Sequence, residues 1–284
     1  MVLMKVVFIV YDAIVYTPFK ILADPEDKLA RSKCEKARPI VEGDPSAPWR
    51  HVDTIDKPLY SRIFPDCHTL GAVWDRAAQL HEDSLCLGSR DVVQVFEEAQ
   101  SDGRTFQKLI LGEYQWLDYT KVDKQIAQIG LGLIALNIKQ GDKVVIYAET
   151  RKEWLMTAIA CFKRGIPVVT VYATLGEEAV AFAMKECDAV AVVTTRSLLT
   201  KVKSAIEDVG TISKVIYFYD LYQNPDEVKT APDSLVEEFK ALGRELYSFE
   251  ELLELENDLW TDVEVKADDL ALIIYTSADI RRFL

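Results

Sequence analysis

Residues that build metal sites and disulfide scaffolds are scarce in this sequence. It has 3 histidines and 5 cysteines among 284 residues, and no two cysteines stand at C-x-x-C spacing. No histidine lies at zinc-ligand spacing from a cysteine, and an odd, scattered set of thiols is typical of a reducing compartment. The sequence therefore predicts neither a metal site nor a disulfide framework.

Positive charge is also in short supply. The chain has 33 basic and 46 acidic residues, which give a formal net charge of −13 at pH 7. A chain this acidic does not attract a phosphate backbone, so we do not expect nucleic acid as a partner. Hydrophobic residues make up 49% of the chain and charged residues 28%, a balance typical of globular proteins rather than disordered or fibrous ones.

An uninterrupted membrane-spanning run is missing too, although residues 2–22 are the most apolar stretch. Asp12 lies near their centre, where an acidic residue costs a spanning helix about 2.5 to 3.5 kcal/mol. Five basic residues follow between Lys28 and Arg38, a pattern typical of segments that stay on the cytosolic side and contact anionic lipid. We expect a membrane anchor or interfacial segment over residues 1–22, with a first strand or helix of the core as the alternative. The proline-rich residues 23–68 are predicted to be a linker.

From residue 69 onward, apolar runs alternate with helical patterns. The runs KVVIYA, PVVTVY and LALIIY, at 143–148, 167–172 and 270–275, predict buried strands, as do residues 189–194 and 215–219. Helices are predicted between them, with Thr69 and Thr150 as N-caps. Residues 92–111 are predicted to form a hairpin that turns at Asp102 and Gly103. This order is typical of an α/β fold with a parallel sheet and helices on both faces.

A Gly-x-Gly sequence at Gly130 and Gly132 lies within a predicted helix. It offers one alternative interpretation, a dinucleotide-binding domain. No strand leads into this sequence and the third glycine of such a loop is absent, so we do not favour it. A phosphate site is better placed after the last strand, because ligands of open α/β sheets bind beyond the carboxyl ends of the strands. Thr276 and Ser277 stand there with two hydroxyls, but no glycine follows them.

Several short stretches carry a resemblance to a known family. They are KLILG at 108–112 with Tyr114 and Trp116, ETR at 149–151 with Glu153 and Trp154, CFK at 161–163, and VYATLG at 171–176. The chain resembles the N-terminal part of a long-chain fatty acid–CoA ligase of the adenylate-forming superfamily, over about residues 29–277. Residues 29–50 also resemble the region behind the membrane anchor of one animal branch of these ligases.

The phosphate loop of that family reads Tyr-Thr-Ser-Gly-Ser-Thr-Gly-x-Pro-Lys-Gly. This chain matches Tyr275, Thr276 and Ser277, and then has Ala278 and Asp279 where the family has glycine and serine. The resemblance implies that Thr276 and Ser277 contact the phosphates of ATP, whereas no catalytic residue and no metal ligand can be carried over. It also implies a partial AMP-binding domain at 69–277 and a tail outside the family pattern at 278–284.

The activity that the resemblance implies uses ATP, Mg²⁺ and CoA. A long-chain fatty acid carboxylate attacks the α-phosphate, acyl-AMP forms with loss of pyrophosphate, and the CoA thiol displaces AMP. We expect the 284 residues to be inactive alone, and a non-catalytic, membrane-tethered isoform or fragment is the alternative. The expected location is the cytosolic face of the endoplasmic reticulum, with the mitochondrial outer membrane and the lipid droplet as alternatives.

Overall fold

The computed structural model describes residues 11–12, 14–16, 19–20, 24–99, 103–221, 230–255 and 263–275. The chain divides into two compact units, residues 1–61 and residues 62–284. The second unit contains all the elements of the predicted sheet.

The first unit contains more regular structure than the predicted linker. Helix α1 (Pro25–Lys33) begins at Asp24, whose carboxylate accepts a hydrogen bond from the amide of Asp27 at 3.2 Å. Strands β1 (Ala37–Pro39) and β2 (Trp49–His51) pair antiparallel and are followed by a 3₁₀ turn, Val52–Thr54. A capped helix and a strand pair therefore stand where the prolines suggested extended chain. The helix begins at Pro25 because a proline at the first helical position favours a helix start.

The predicted membrane anchor lies largely outside the described residues. Residues 1–10, 13, 17–18 and 21–22 are not described, and those described between 11 and 20 are helical. No helix in the described part of the chain has the length and apolar character needed to cross a membrane. The anchor over residues 1–22 stays a prediction.

A six-stranded parallel sheet organises the second unit, as predicted. Its strands are β5 (Lys143–Tyr147), β6 (Val168–Val171), β7 (Ala189–Thr195), β8 (Lys214–Phe218), β9 (Glu245–Ser248) and β10 (Leu272–Ile274). They lie in the order β10-β6-β5-β7-β8-β9, and every pairing is parallel.

Helices cover both faces of this sheet. They are α2 (Leu70–His81), α3 (Tyr119–Ala135), α4 (Lys152–Lys163), α5 (Glu177–Glu186), α6 (Leu199–Ile206), α7 (Asp233–Ala241) and α8 (Phe249–Glu254). Val144 and Ile146 pack toward a layer formed by α3, α4 and α8. Val145 and Tyr147 pack toward α5, α6 and α7 on the opposite face. The strands read as continuous apolar runs because both of their faces are buried.

A long antiparallel hairpin precedes the sheet. Strands β3 (Leu85–Ala99) and β4 (Thr105–Asp118) extend beyond the predicted residues 92–111 at both ends. The predicted turn is confirmed at Gly103, whose φ of +84° is readily adopted only by glycine. The N-cap at Thr69 is confirmed as well, because its hydroxyl accepts from the amide of Ala72.

The helix start predicted at Thr150 is wrong. Helix α4 begins at Lys152, and its N-cap is Arg151, which makes no capping hydrogen bond through its side chain. Residues 156–161 of this helix are buried, whereas Leu155 is 38% exposed. The core therefore encloses most of this short helix.

The prediction of a buried strand at 270–275 is wrong for half of its side chains. Strand β10 lies at the sheet edge and pairs only with β6 within the described residues. Leu270 and Ile274 are 50% and 56% exposed, whereas Tyr275 is 7% exposed. An edge strand alternates between covered and uncovered faces where a helix layer protects only one of them.

The Gly-x-Gly sequence of α3 is a packing feature and not a ligand loop. Gly132 lies against Leu252 of α8 so closely that an added Cβ would meet the carbonyl oxygen of Leu252 and, at 2.8 Å, its Cγ and Cδ1. At Gly130 an added Cβ would lie an ordinary 3.7 Å from Cγ of Arg164. An added methyl group would therefore clash at Gly132 but fit at Gly130, although both glycines are buried in the same helix.

We expect Gly132→Ala to lower the free energy of unfolding by about 2 kcal/mol or more, because α8 must move away from α3. The matched control is Gly130→Ala, which we expect to be neutral or stabilising by up to about 1 kcal/mol through helix propensity. Urea unfolding followed by circular dichroism measures both. Equal stability of the two variants would contradict the close approach of α3 and α8.

Candidate functional site

The connections between strands identify where a ligand site is expected. The chain passes from β5 through α4 to β6 on one face, and then from β6 through α5 to β7 on the other. Strand β5 therefore lies between β6 and β7, and the direction of winding reverses beside it. In open α/β sheets, ligands bind outside the carboxyl ends of the strands at such a reversal. We call the residues that directly follow β5, β6, β7, β8 and β10 the carboxyl edge.

A cleft of about 720 Å³ opens at one part of the carboxyl edge. It is lined by residues 88–92 of the hairpin, residues 150–153 after β5, residues 218–221 after β8, and the start of α8. Its volume lies within the range of small-molecule sites. Position and size therefore qualify this cleft as a candidate, and its charges decide what it can hold.

Arg151 holds the floor of the cleft together. Its Nη1 donates to the carbonyl oxygen of Tyr219 at 2.6 Å, and its Nε donates to Oε2 of Glu153 at 2.7 Å. The guanidinium also lies 4.9 Å from the ring centre of Phe218. Because β7 lies between β5 and β8, this one side chain connects the ends of two strands that do not pair with each other.

The charges of the cleft do not select an anion. Three cationic side chains line it, against the four acidic ones of Asp91, Glu153, Asp220 and Glu250. All three are already engaged. Arg151 binds Glu153, the guanidinium of Arg90 donates to the carbonyls of Leu111 and Gly112, and Nζ of Lys152 donates to Oγ of Ser89 at 3.2 Å. A phosphate site needs donors that remain available, so the cleft does not provide one.

Burial, and then nearby glutamates, raise the pKa of two tyrosines along this edge. Burial, and then Glu250, raise the pKa of Tyr219 to about 12. Burial, followed by the charge of Glu149, also raises the pKa of Tyr147, whose hydroxyl donates to the carbonyl of Leu175 at 2.9 Å. Oε2 of Glu149 is buried and has no hydrogen-bond partner among the described residues. Tyrosines at this edge are held neutral and act as hydrogen-bond donors.

The end of β10 presents a different environment. Tyr275 is buried, its hydroxyl donates to Oε2 of Glu186 at 2.6 Å, and its ring meets Phe182 edge-on at 6.3 Å between centroids. Thr276 and Ser277, the predicted phosphate contacts, lie outside the described residues and stay predictions.

The sequence analysis did not single out Phe182 and Glu186, the two side chains that contact Tyr275. Their spacing of four residues on α5 puts them on one helix face, which is the signal available in the sequence. That spacing does not reveal that the face meets Tyr275, which lies 89 positions after Glu186 in the chain.

Metal ligation was not expected. Within the described ranges, no group of three or more His, Cys, Asp or Glu side chains is arranged to hold a metal ion. The described cysteines are all free thiols, and burial raises the pKa of Cys161 to about 12.

Comparison with known proteins relates this fold to a large family of enzymes. The AMP-binding enzyme family matches residues 96–278. Long chain acyl-CoA synthetase 8 of Arabidopsis thaliana is 32% identical over 149 residues, which are 52% of this chain and 21% of that protein. Long-chain-fatty-acid--CoA ligase 4 of Saccharomyces cerevisiae is 29% identical over 259 residues, covering 82% of this chain and 37% of that protein. This chain thus spans well under half the length of these relatives.

Solved structures share the architecture at lower identity. The adenylation domain of a carboxylate reductase from Mycobacterium chelonae matches with a TM-score of 0.59 and 17% identity, over 75% of this chain and 32% of that chain. The A domain of a carboxylic acid reductase from Segniliparus rugosus, in complex with AMP and a co-purified carboxylic acid, matches with a TM-score of 0.58 and 14% identity, over 74% of this chain and 34% of that chain. At such identities the likeness shows the fold.

We expect Arg151→Ala to lower the free energy of unfolding by about 3 kcal/mol, because Glu153 loses its partner in a largely buried place. Arg151→Lys should not restore stability, since an ammonium cannot bind Glu153 and the Tyr219 carbonyl while lying flat on Phe218. The control is Lys152→Ala, at the neighbouring and more exposed position, which should change stability by less than about 0.5 kcal/mol. Urea unfolding of the three variants measures this. A full restoration by lysine would contradict the bidentate role of Arg151.

Proposed function

The chain belongs to the AMP-binding enzyme family, and on that premise we propose that the protein activates long-chain fatty acids. In the proposed reaction ATP and the fatty acid form an acyl-adenylate with release of pyrophosphate, and CoA then takes the acyl group and releases AMP. The relatives from Arabidopsis thaliana and Saccharomyces cerevisiae, named for long-chain acyl-CoA synthesis, support this substrate class.

One structural observation carries the proposal. Strand β10 runs parallel to β6 and brings Tyr275 to the carboxyl edge, with Leu272, Ile273 and Ile274 opposite Val168, Val169 and Thr170. The Tyr-Thr-Ser sequence of the family's phosphate loop therefore starts where open α/β sheets bind ligands. The proposed site thus lies after β10 and is separate from the cleft that contains Arg151, which lies at the ends of β5 and β8.

The chemistry required there is the stabilisation of negative charge on phosphate. The hydroxyls of Thr276 and Ser277, with backbone amides of the loop, are proposed to donate hydrogen bonds to ATP phosphate oxygens. Mg²⁺ would supply neutralisation of the phosphate charge as the pyrophosphate leaves. Glycines in such a loop let the backbone approach the oxygens closely.

A membrane location is part of the proposal. The basic side chains of Lys28, Lys33, Lys36 and Arg38 are all exposed, and they follow the apolar residues 2–22. Clusters of this kind contact anionic lipid headgroups on the cytosolic side of a membrane. We propose the endoplasmic reticulum as that membrane, and fractionation against mitochondrial outer-membrane and lipid-droplet markers tests the assignment.

A non-catalytic, membrane-tethered role is the second candidate. It is favoured by one observation in the sequence, which is that Ala278 and Asp279 stand where the family loop has glycine and serine. An aspartate beside the phosphates would repel them, and a chain without the glycines lacks the close backbone approach.

Restoring the loop separates the two candidates. The restored chain carries Ala278→Gly, Asp279→Ser, Ile280→Thr, Arg281→Gly, Phe283→Pro and Leu284→Lys, and keeps Arg282 at the variable position. We expect it to bind MgATP about tenfold more tightly than the starting chain, because one charge-assisted hydrogen bond supplies about that factor. Isothermal titration calorimetry measures the affinity.

The control carries the same replacements with alanine at 278 and 281, and it should bind MgATP less tightly than the restored chain, because it lacks the glycines that allow a close backbone approach. If the restored chain shows no gain, the phosphate role of this segment is wrong. Formation of oleoyl-CoA from oleate, ATP and CoA then decides the activity. Turnover by the unaltered chain above a no-enzyme reaction would exclude the non-catalytic candidate.

A further inference from the structure

Strand β10 has little to hold it in place. It is three residues long, it pairs with β6 alone, and one of its faces is largely exposed within the described part of the chain. Edge strands of this length are weakly held by their backbone hydrogen bonds alone. A phosphate site after such a strand needs a further contact that sets its position.

Side chains of α5 supply that contact. The hydroxyl of Tyr275 lies 2.6 Å from Oε2 of Glu186 and 3.5 Å from the carbonyl oxygen of Ala183. The ring of Phe182 meets the ring of Tyr275 at an interplanar angle of 79°. Hydrogen bonds to a carboxylate are stronger than those to neutral groups, and edge-to-face aromatic pairs add to the area that they bury.

We propose that Glu186 and Phe182 are positioning residues for the phosphate-binding segment, acting through Tyr275. They hold Tyr275, which directly follows β10, against α5, so that the segment starting at Thr276 begins from a defined point. This rests on the proposed function for its consequence in ATP binding, whereas the anchoring itself is a property of the described residues. Neither side chain is proposed to touch ATP.

The contact with Glu186 also explains why Tyr275 is buried although the residue before it is exposed. Ile274 is 56% exposed, and the next residue, Tyr275, is 7% exposed. A tyrosine buries its ring and still needs a partner for its hydroxyl. Glu186 is an exposed residue at the last turn of α5, and its carboxylate provides that partner at the boundary of the core.

The test uses Tyr275→Phe and Glu186→Ala, which remove the hydrogen bond from either side and leave the ring pair intact. Glu186→Gln keeps an acceptor oxygen and serves as the conservative variant. Glu178→Ala removes an exposed glutamate from the same helix and is the matched control. Each is made in the full 284-residue chain and in the chain with the restored loop.

Two measurements are made on each variant. Hydrogen exchange followed by mass spectrometry reports the protection of residues 272–277 relative to β5 and β8. Titration with MgATP reports affinity. We expect Tyr275→Phe and Glu186→Ala to speed exchange in 272–277 alone and to weaken MgATP binding by about fivefold, with no further loss in the double variant, because both remove one hydrogen bond. Glu186→Gln should stay within about twofold of the unaltered chain.

The outcomes are distinct. If exchange and affinity in Glu186→Ala equal those in Glu178→Ala, the proposal is overturned. If stability falls but the protection of 272–277 relative to β5 and the MgATP affinity are unchanged, Glu186 is merely structural and the proposal is again overturned. If no form binds MgATP, the proposed function fails, and the exchange in 272–277 still decides the anchoring.

Discussion

Strand β5 buries Val144, Val145, Ile146 and Tyr147 completely, alternately against two different layers of helices. Both layers must be complete, because a parallel sheet with one face in water would expose a continuous apolar surface. This requirement accounts for features far from β5. Helix α8 covers one face by approaching α3 at Gly132, where a side chain would leave no room for Leu252.

Because helices cover both faces of the sheet, its polar side chains gather at the ends of the strands. At the carboxyl edge, Arg151 joins the ends of β5 and β8 across the strand between them, and Tyr147 donates to the turn after β6. These contacts stabilise the edge and engage charged side chains that line the cleft. The cleft at this edge is therefore a structural junction, and the proposed phosphate chemistry belongs to the separate position after β10.

The fold was largely predictable, since buried parallel strands and amphipathic helices leave strong local patterns. The N-cap at Thr69 and the turn at Gly103 were predicted correctly from single residues and their neighbours. The errors arose where the pattern is shared by two structures. A run of six apolar residues at 270–275 fits a central strand as well as an edge strand, and Thr150 fits an N-cap that Arg151 occupies instead.

The sequence by itself determined the alternation of strands and helices, the parallel sheet that follows from it, and the family to which the chain belongs. Only the tertiary structure decided which side chains meet at the carboxyl edge. Tyr275 meets Glu186 across 89 positions of sequence, and Arg151 meets the Tyr219 carbonyl across 68. The reason is physical: periodicity records which face of an element is buried, whereas the lateral order of the strands brings distant loops together, and no local pattern encodes that order.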